Sequence, residues 1–94
     1  MLIVSGKLYV EPGTRDGYLA GCLDVVKQAR EAPGCLDFVL AADPLEDDRI
    51  NVYERWESDE HLHRFRDTGP EPGQVAAIRD AHVAKYRISS TEAP

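Results

Sequence analysis

The sequence predicts an α+β domain in which two helices cover one face of a four-stranded antiparallel sheet. Four segments are rich in β-forming residues, and two others carry apolar residues at helical spacing. Turn signals separate these segments, which follow one another in the order β-α-β-β-α-β. The chain has 94 residues, so we expect one domain over residues 1–94.

The first strand and the first helix are predicted within residues 2–34. The run LIVSGKLYV, residues 2–10, is typical of a strand and ends at a Pro-Gly pair. Thr14 is placed to cap a helix, and residues 32–34, APG, end it. The apolar positions at helical spacing are Tyr18, Cys22, Val25, Val26 and Ala29. The charged residues expected to face water are Arg15, Asp16, Lys27 and Arg30.

The middle of the chain predicts a β-hairpin followed by the second helix. Two strand-like runs, CLDFVLAAD at residues 35–43 and RINVYERWE at residues 49–57, are joined by the turn-forming residues DPLEDD. Ser58 suits the N-cap of the helix. The acids that suit the positive end of its dipole are Asp59 and Glu60, and its apolar edge is Leu62 and Phe65.

The last part of the chain predicts an interruption and a closing strand. The stretch TGPEPG, residues 68–73, can be either a rigid turn or a lid over a cleft. Val75, Ala76 and Ile78 then suggest a second helical piece. The run AHVAKYRI, residues 81–88, predicts the fourth strand, and residues 89–94 a frayed tail. Together the elements predict a ferredoxin-like fold.

Charge and hydropathy exclude two classes of partner. The formal net charge is -6, and no stretch clusters lysine or arginine with aromatic residues as a nucleic-acid groove requires. No apolar run approaches the roughly 20 residues that span a bilayer, and the N-terminus does not resemble a signal peptide. We therefore expect no nucleic-acid or membrane partner and a cytoplasmic location.

No metal or cofactor site is predicted. Cys22 and Cys35 are isolated in a helix and a strand, which favours reduced thiols over a disulfide or a nucleophile. His61 and His63 are two residues apart on a helix and cannot share a metal ion. No HExxH, GxSxG, GxGxxG or phosphate-loop motif is present.

Period-two alternation divides the predicted sheet into two faces. In the third strand Val52, Glu54 and Trp56 point to the helix-covered side. Ile3, Tyr9 and Tyr53 lie among polar groups on the opposite side. This mixed composition suits an interface with a second copy, although an ordinary half-solvated sheet explains these residues equally well.

Three runs resemble a known family. VEPGTRDGYL, AREAPGCLDFVLAADP and INVYERWESDEHLHRF, in this order and spacing, are similar to the antibiotic biosynthesis monooxygenases, small dimeric α+β barrel proteins. The resemblance runs from residue 2 to about residue 88. It implies a homodimer whose sheets pack face to face, with a cleft between sheet and helices in each protomer. Characterised relatives oxidise anthrone-like or quinol-type aromatic polyketides without metal or flavin, and others degrade heme.

The resemblance carries over residue by residue only in part. Trp56 matches the tryptophan that lines the pocket of the polyketide-oxidising members. The positions that carry asparagine and tyrosines there correspond to Val52, Leu40 and Leu62 in this chain. In the heme-degrading branch the matching positions would be Gly6, Phe65 and Val75, so heme degradation is not expected.

Trp56 and Glu54 are the candidate catalytic residues. Trp56 can be a stacking wall for a flat substrate, or simply a core residue. Glu54, if desolvated, gains a pKa that suits a general base; the alternative is a strand carboxylate paired with Arg66 or solvated at the edge. The candidate substrate-binding residues are Leu40, Val52, His61, Leu62, Phe65 and His82. His61 is otherwise a solvated helix residue, and His82 either reaches the cleft or caps the sheet.

Two hypotheses of different classes follow. The first is a homodimeric, cofactor-independent monooxygenase acting on an aromatic, quinol-like or polyketide-derived small molecule. The second is a non-catalytic small-molecule binding or dimerisation module of the same fold. An isomerase or a decarboxylase built on the same barrel is a third, since one fold hosts many chemistries.

Overall fold

The fold is a single sheet with its helices on one side, as the sequence predicts. The structure is a computed structural model that describes residues 1–67 and 77–94. Its elements are β1 Leu2–Tyr9, α1 Arg15–Gly21, α2 Leu23–Glu31, β2 Cys35–Ala42, β3 Arg49–Trp56, α3 Asp59–Asp67 and β4 Asp80–Arg87. The strand order is β2-β3-β1-β4 with every neighbouring pair antiparallel, which confirms the ferredoxin-like prediction. No helix in these ranges is long and apolar enough to cross a bilayer.

The predicted interruption after α3 falls outside the described residues. This applies to residues 68–73, whose two alternatives stay open, and to Val75 and Ala76 of the suggested helical piece. Ile78, the third residue of that piece, is described and lies in neither a helix nor a strand.

The first predicted helix is divided in two, and its predicted cap differs. Cys22 separates α1 from α2, and its backbone N–H bonds to Leu19 as well as Tyr18, which tightens the last turn of α1. The Thr14 hydroxyl makes no cap and donates instead to the Glu11 carbonyl at 2.7 Å. A threonine at this place predicts a cap, but its hydroxyl is satisfied by the preceding turn.

Arg15 is predicted to face water, but most of its side chain is buried. Its Nη1 donates to the backbone carbonyls of Asp43 at 3.2 Å, Glu46 at 2.7 Å and Arg49 at 3.3 Å. Asp43 and Glu46 lie in the β2–β3 turn and Arg49 begins β3, so α1 is tied to the hairpin. The prediction was wrong because helical periodicity separates polar from apolar positions. It does not show which loop of the fold packs against the helix.

The register of the sheet fixes which side chains meet under the helices. Leu2 of β1 lies opposite Trp56, and Val4 lies opposite Glu54. The cluster of buried residues on this helix-covered face is Leu2, Val4, Ala29, Phe38, Trp56 and Leu62. The predicted alternation of β3 is confirmed, with Val52 6% and Trp56 0% exposed.

The opposite side of the sheet, which we call the open face, carries Ser5, Lys7, Asn51 and Tyr53 around a groove of about 490 Å³. Ile3 lies on the same side and is half-buried. Tyr9 also lies there, and its hydroxyl donates to the Glu46 carboxylate at 3.2 Å. The dimeric barrel stays a prediction.

Candidate active site

A carboxylate and an indole lie side by side on the helix-covered face. Because β3 alternates, Glu54 and Trp56 point the same way, and Trp56 Nε1 donates to Glu54 Oε1 at 3.0 Å. Trp56 has no exposed surface, whereas Glu54 is half-buried. The hydrogen bond satisfies the only polar group of the indole and holds the carboxylate in one orientation.

Phe65 and Phe38, from two other elements, form a group of three aromatic rings with Trp56. The Phe65 ring of α3 lies 5.4 Å from the Trp56 ring, centroid to centroid, with the planes tilted by 33°. It also meets Phe38 of β2 edge-on at 5.9 Å. Such offset and edge-to-face contacts are the favourable ones for aromatic rings. Phe65 therefore covers Trp56, and a ligand can touch the indole only if the Phe65 ring moves.

The position of α3 is fixed at its N-terminus. The Ser58 hydroxyl accepts the backbone N–H of His61 at 3.3 Å, which confirms Ser58 as the cap. Asp59 accepts hydrogen bonds from Lys85 at 2.6 Å and Arg87 at 2.7 Å, both on β4. These two donors lower the pKa of Asp59. The start of α3 is thus tied to the edge strand.

Burial raises the pKa of the Glu54 carboxyl above its ordinary value. The hydrogen bond from Trp56 and the positive charge of Arg66 act in the opposite direction, and desolvation outweighs them. In the described part of the chain the carboxylate bonds to Trp56, and Arg66 influences it as a nearby charge. Glu54 is therefore a carboxyl that takes up a proton more readily than a solvated glutamate.

A cleft of about 300 Å³ opens between α2 and α3. Its described lining residues are Gln28, Ala32, Pro33, His61, Arg64 and Phe65. We call it the α2–α3 cleft. Phe65 lines the cleft and also packs against Trp56, so the Phe65 ring lies between the cleft and the indole.

The imidazole of His61 is held in place on two sides. Its Nδ1 lies 2.7 Å from the Ser58 hydroxyl oxygen. Its ring rests against Gly34, where a Cβ would overlap the imidazole and where the backbone φ is +81°. Only glycine adopts this φ without strain, so residue 34 supplies both the turn and the space. His61 is therefore an ordered wall of the cleft.

The structure brings together some of the predicted site residues. His61 and Phe65 line the α2–α3 cleft, and Leu62 is fully buried beside them in the core. Leu40 and Val52 face each other across β2 and β3 on the helix-covered face, and Val52 is two residues from Glu54 along β3. Both side chains therefore belong to the sheet surface that the helices cover.

His82 lies elsewhere. It pairs with Lys7 in the register of β1 and β4, which puts it on the open face, away from Trp56. Its Nε2 lies 2.9 Å from Asp80, which lowers the pKa of that carboxyl. His63 is exposed on α3, as a solvated helix residue would be.

Sequence reasoning missed four lining residues of the cleft. Three of them lie at the end of α2 and in the turn after it, namely Gln28, Ala32 and Pro33. The fourth, Arg64, is an exposed residue of α3. The APG run, residues 32–34, predicts only the end of the helix. The sequence signal for this wall is Gly34, because a residue without a Cβ lets another side chain approach the backbone closely.

Thiol and metal chemistry gain no support from the described residues. No disulfide joins Cys22 and Cys35 in the described residues. Burial raises the pKa of each thiol, which makes the nucleophilic thiolate scarcer. Within residues 1–67 and 77–94, no three His, Cys, Asp or Glu side chains are grouped as metal ligands.

The fold matches several solved structures. A Deinococcus radiodurans protein assigned to the antibiotic biosynthesis monooxygenases aligns with a TM-score of 0.81 and 17% identity, covering 100% of this chain and 98% of that one. Another antibiotic biosynthesis monooxygenase aligns with a TM-score of 0.80 and 23% identity, covering 96% of this chain and 100% of that one. At such identities the likeness concerns the fold alone.

Sequence comparison identifies the family. The uncharacterized protein sll1783 of Synechocystis is 23% identical over 97% of this chain, which spans 65% of the length of that relative. The profile of the family described as antibiotic biosynthesis monooxygenase matches residues 1–84. The chain therefore belongs to the antibiotic biosynthesis monooxygenase family.

Proposed function

We propose that the protein is a cytoplasmic, cofactor-independent monooxygenase that oxidises an aromatic, quinol-like or polyketide-derived small molecule. The observation that carries the proposal is Glu54, a carboxyl of raised pKa on the helix-covered face, oriented by Trp56 and bordered by aromatic rings. A base with a pKa nearer neutrality is the group that such a reaction requires of the protein. Membership of the family supports the same reaction class.

Glu54 acts as the general base in this proposal. It removes a proton from an activated ring CH₂ or phenol, and the resulting carbanion is electron-rich enough to react with oxygen directly. The carbanion adds O₂ to form a peroxide, which takes the proton back and loses water to leave a new carbonyl. One oxygen atom enters the product and the other leaves as water, so CH₂ and O₂ give C=O and H₂O. Both electron pairs come from the substrate.

A substrate that approaches from the α2–α3 cleft reaches the Trp56 indole, and the half-buried Glu54 bonded to it, by displacing Phe65. The substrate ring first contacts the wall of the α2–α3 cleft that Phe65 forms, and rotation of that side chain then brings the reacting carbon toward the carboxylate. The surroundings of Glu54 are apolar, since Val4, Phe38 and Val52 are its buried neighbours on the sheet. An apolar lining excludes water and strengthens the interaction of the carboxylate with its proton.

Replacing Glu54 with glutamine should abolish oxygenation while keeping the fold. Glutamine accepts the Trp56 hydrogen bond but cannot take a proton, so we expect oxygen uptake to fall by about 100-fold or more. In the native protein, kcat/KM should rise with pH through the raised pKa of Glu54, because the ionised form is the base. Oxygen consumption is measured on metal-free protein with a panel of anthrones, quinols and flavonoids.

Glu57→Gln is the matched control for this variant. Glu57 lies just beyond β3 and is exposed. Its replacement by glutamine removes the same charge as Glu54→Gln does. Equal activity of the Glu54→Gln and native proteins would refute the role of Glu54.

A non-catalytic binding module is the second candidate. The complete burial of Trp56 favours it, because a covered indole is a structural residue first. The apolar side chains of Leu40, Val52 and Leu62 also favour this candidate, since they offer no hydrogen bond to a substrate. Aromatic ligands that bind to the protein without any oxygen uptake across the panel would favour this candidate over the monooxygenase.

We also propose a homodimer formed by packing of the two open faces. A domain of this size gains stability when a second copy buries Ile3 and Tyr53. Sedimentation should show a dimer at micromolar concentration, and Tyr53→Asp should shift it toward monomer because it places a charge in the groove. Leu45→Asp is the control, since Leu45 is 92% exposed on the hairpin turn. A native monomer at that concentration would contradict the proposal.

A further inference from the structure

We propose that the α2–α3 cleft binds an aromatic carboxylate of one or two rings, with His61 Nε2 and Arg64 holding the carboxylate and Phe65 contacting the ring. The inference deepens the proposed function, on which it rests, by adding a charged group to the substrate class. Its support lies in the hydrogen bonding of His61, the charge of the lining and the size of the cleft.

The Ser58 hydroxyl contacts one nitrogen of the imidazole and leaves the other, Nε2, without a partner among the described residues. The hydroxyl oxygen accepts the backbone N–H of His61 and lies 2.7 Å from His61 Nδ1. In the tautomer in which the hydroxyl donates to Nδ1, Nε2 carries the hydrogen and can donate it to a ligand. A Cβ at residue 34 would overlap the imidazole, so the ring lies close against Gly34. His61 thus brings to the lining of the cleft an imidazole that is held at Nδ1.

The polar groups of the cleft favour an anion. Besides His61, the polar residues of the described lining are Arg64 and Gln28. None of the described lining residues is acidic, although 17 of the 94 residues are Asp or Glu. Arg64 bonds to Glu60 at 2.8 Å, but both side chains are mostly exposed, and such a surface pair exchanges readily for a ligand carboxylate.

The apolar walls and the volume limit the rest of the ligand. Ala32, Pro33 and Phe65 form walls suited to a flat apolar body. The volume of about 300 Å³ lies at the lower end of the range for small-molecule pockets, which suits one or two rings. A carboxylate held at His61 and Arg64 places the ring against Phe65, the side chain that packs on Trp56.

The test compares two ligands of the same shape. Titration calorimetry without turnover measures the binding of 2-naphthoate and of 2-naphthamide, which have nearly the same size and differ in the charge and hydrogen-bonding groups of one substituent. We expect the native protein to bind the acid at least about 10-fold more tightly than the amide. His61→Ala should remove most of this preference, His61→Gln should keep part of it because glutamine still donates, and Arg64→Gln should reduce it.

His63→Ala is the matched control, because His63 lies two residues away on the same helix and is exposed. Equal affinity for acid and amide, or equal losses in His61→Ala and His63→Ala, would overturn the inference. Binding of 2-naphthoate that depends on His61, without oxygen uptake from any aromatic substrate, leaves the inference standing and refutes the monooxygenase. Oxygen uptake whose KM for acidic substrates is unchanged in His61→Ala does the reverse.

Discussion

Replacing Trp56 with alanine is expected to lower the free energy of unfolding by about 3 to 5 kcal/mol. Trp56 is the largest fully buried side chain, and its removal leaves a cavity under Phe65 and breaks the hydrogen bond to Glu54. The loss is a large fraction of the roughly 5 to 15 kcal/mol that stabilises a domain. Denaturant titration followed by far-ultraviolet circular dichroism measures it.

Trp56→Phe is a milder change at the same position. Phenylalanine keeps a ring against Phe65 but offers no donor to Glu54, so we expect a loss of about 1 to 2 kcal/mol from the smaller ring and the missing hydrogen bond. A loss below about 1 kcal/mol for Trp56→Ala would contradict the assignment of Trp56 to the core.

Gly6→Ala is expected to cost at least about 3 kcal/mol or to prevent folding, which is a larger effect than an exposed-site substitution produces. A Cβ at residue 6 would overlap the backbone carbonyl oxygen of His82 and lie 2.7 Å from Val83 Cα. Both atoms belong to the β4 backbone, which cannot move without breaking its pairing with β1. The midpoint of thermal unfolding, or the soluble yield if the variant does not fold, measures the effect.

Gly17→Ala is the control for this substitution. Gly17 lies in α1, and a Cβ there meets no atom within 4 Å. Alanine should stabilise the helix by up to about 1 kcal/mol. Similar behaviour of the two variants would show that the close approach of β1 and β4 at Gly6 is relaxed in solution.

Local sequence patterns predicted most of the fold. The alternation in β3 placed Val52, Glu54 and Trp56 on one face because the period of a strand is fixed by its geometry. The hairpin turn and the Ser58 cap follow from residue types whose preferences act over a few positions. These features need no knowledge of distant residues.

The site was harder to predict because it depends on how distant elements meet. Whether Trp56 is open or covered is decided by the position of α3, which Asp59 fixes through Lys85 and Arg87 on the far edge of the sheet. The cleft likewise depends on Gly34 and His61, which are far apart in sequence. No local pattern reports such pairs.

The side of the sheet that His82 occupies was undecided for a related reason. All eight residues of β4 are exposed, so the strand carries no alternation of buried and exposed positions from which its register could be inferred. The pairing of Gly6 with Val83 fixes that register, and it becomes visible only when β1 and β4 are placed side by side.

The hydrogen bond between Trp56 and Glu54 gives the protein a built-in optical reporter. The chain contains one tryptophan, so all indole fluorescence comes from the site itself. Its emission responds to the charge of a carboxylate 3.0 Å from Nε1 and to the ring of Phe65 beside it. Ionisation of Glu54 and displacement of Phe65 by a ligand can therefore both be followed in the unmodified protein, in real time and without a label.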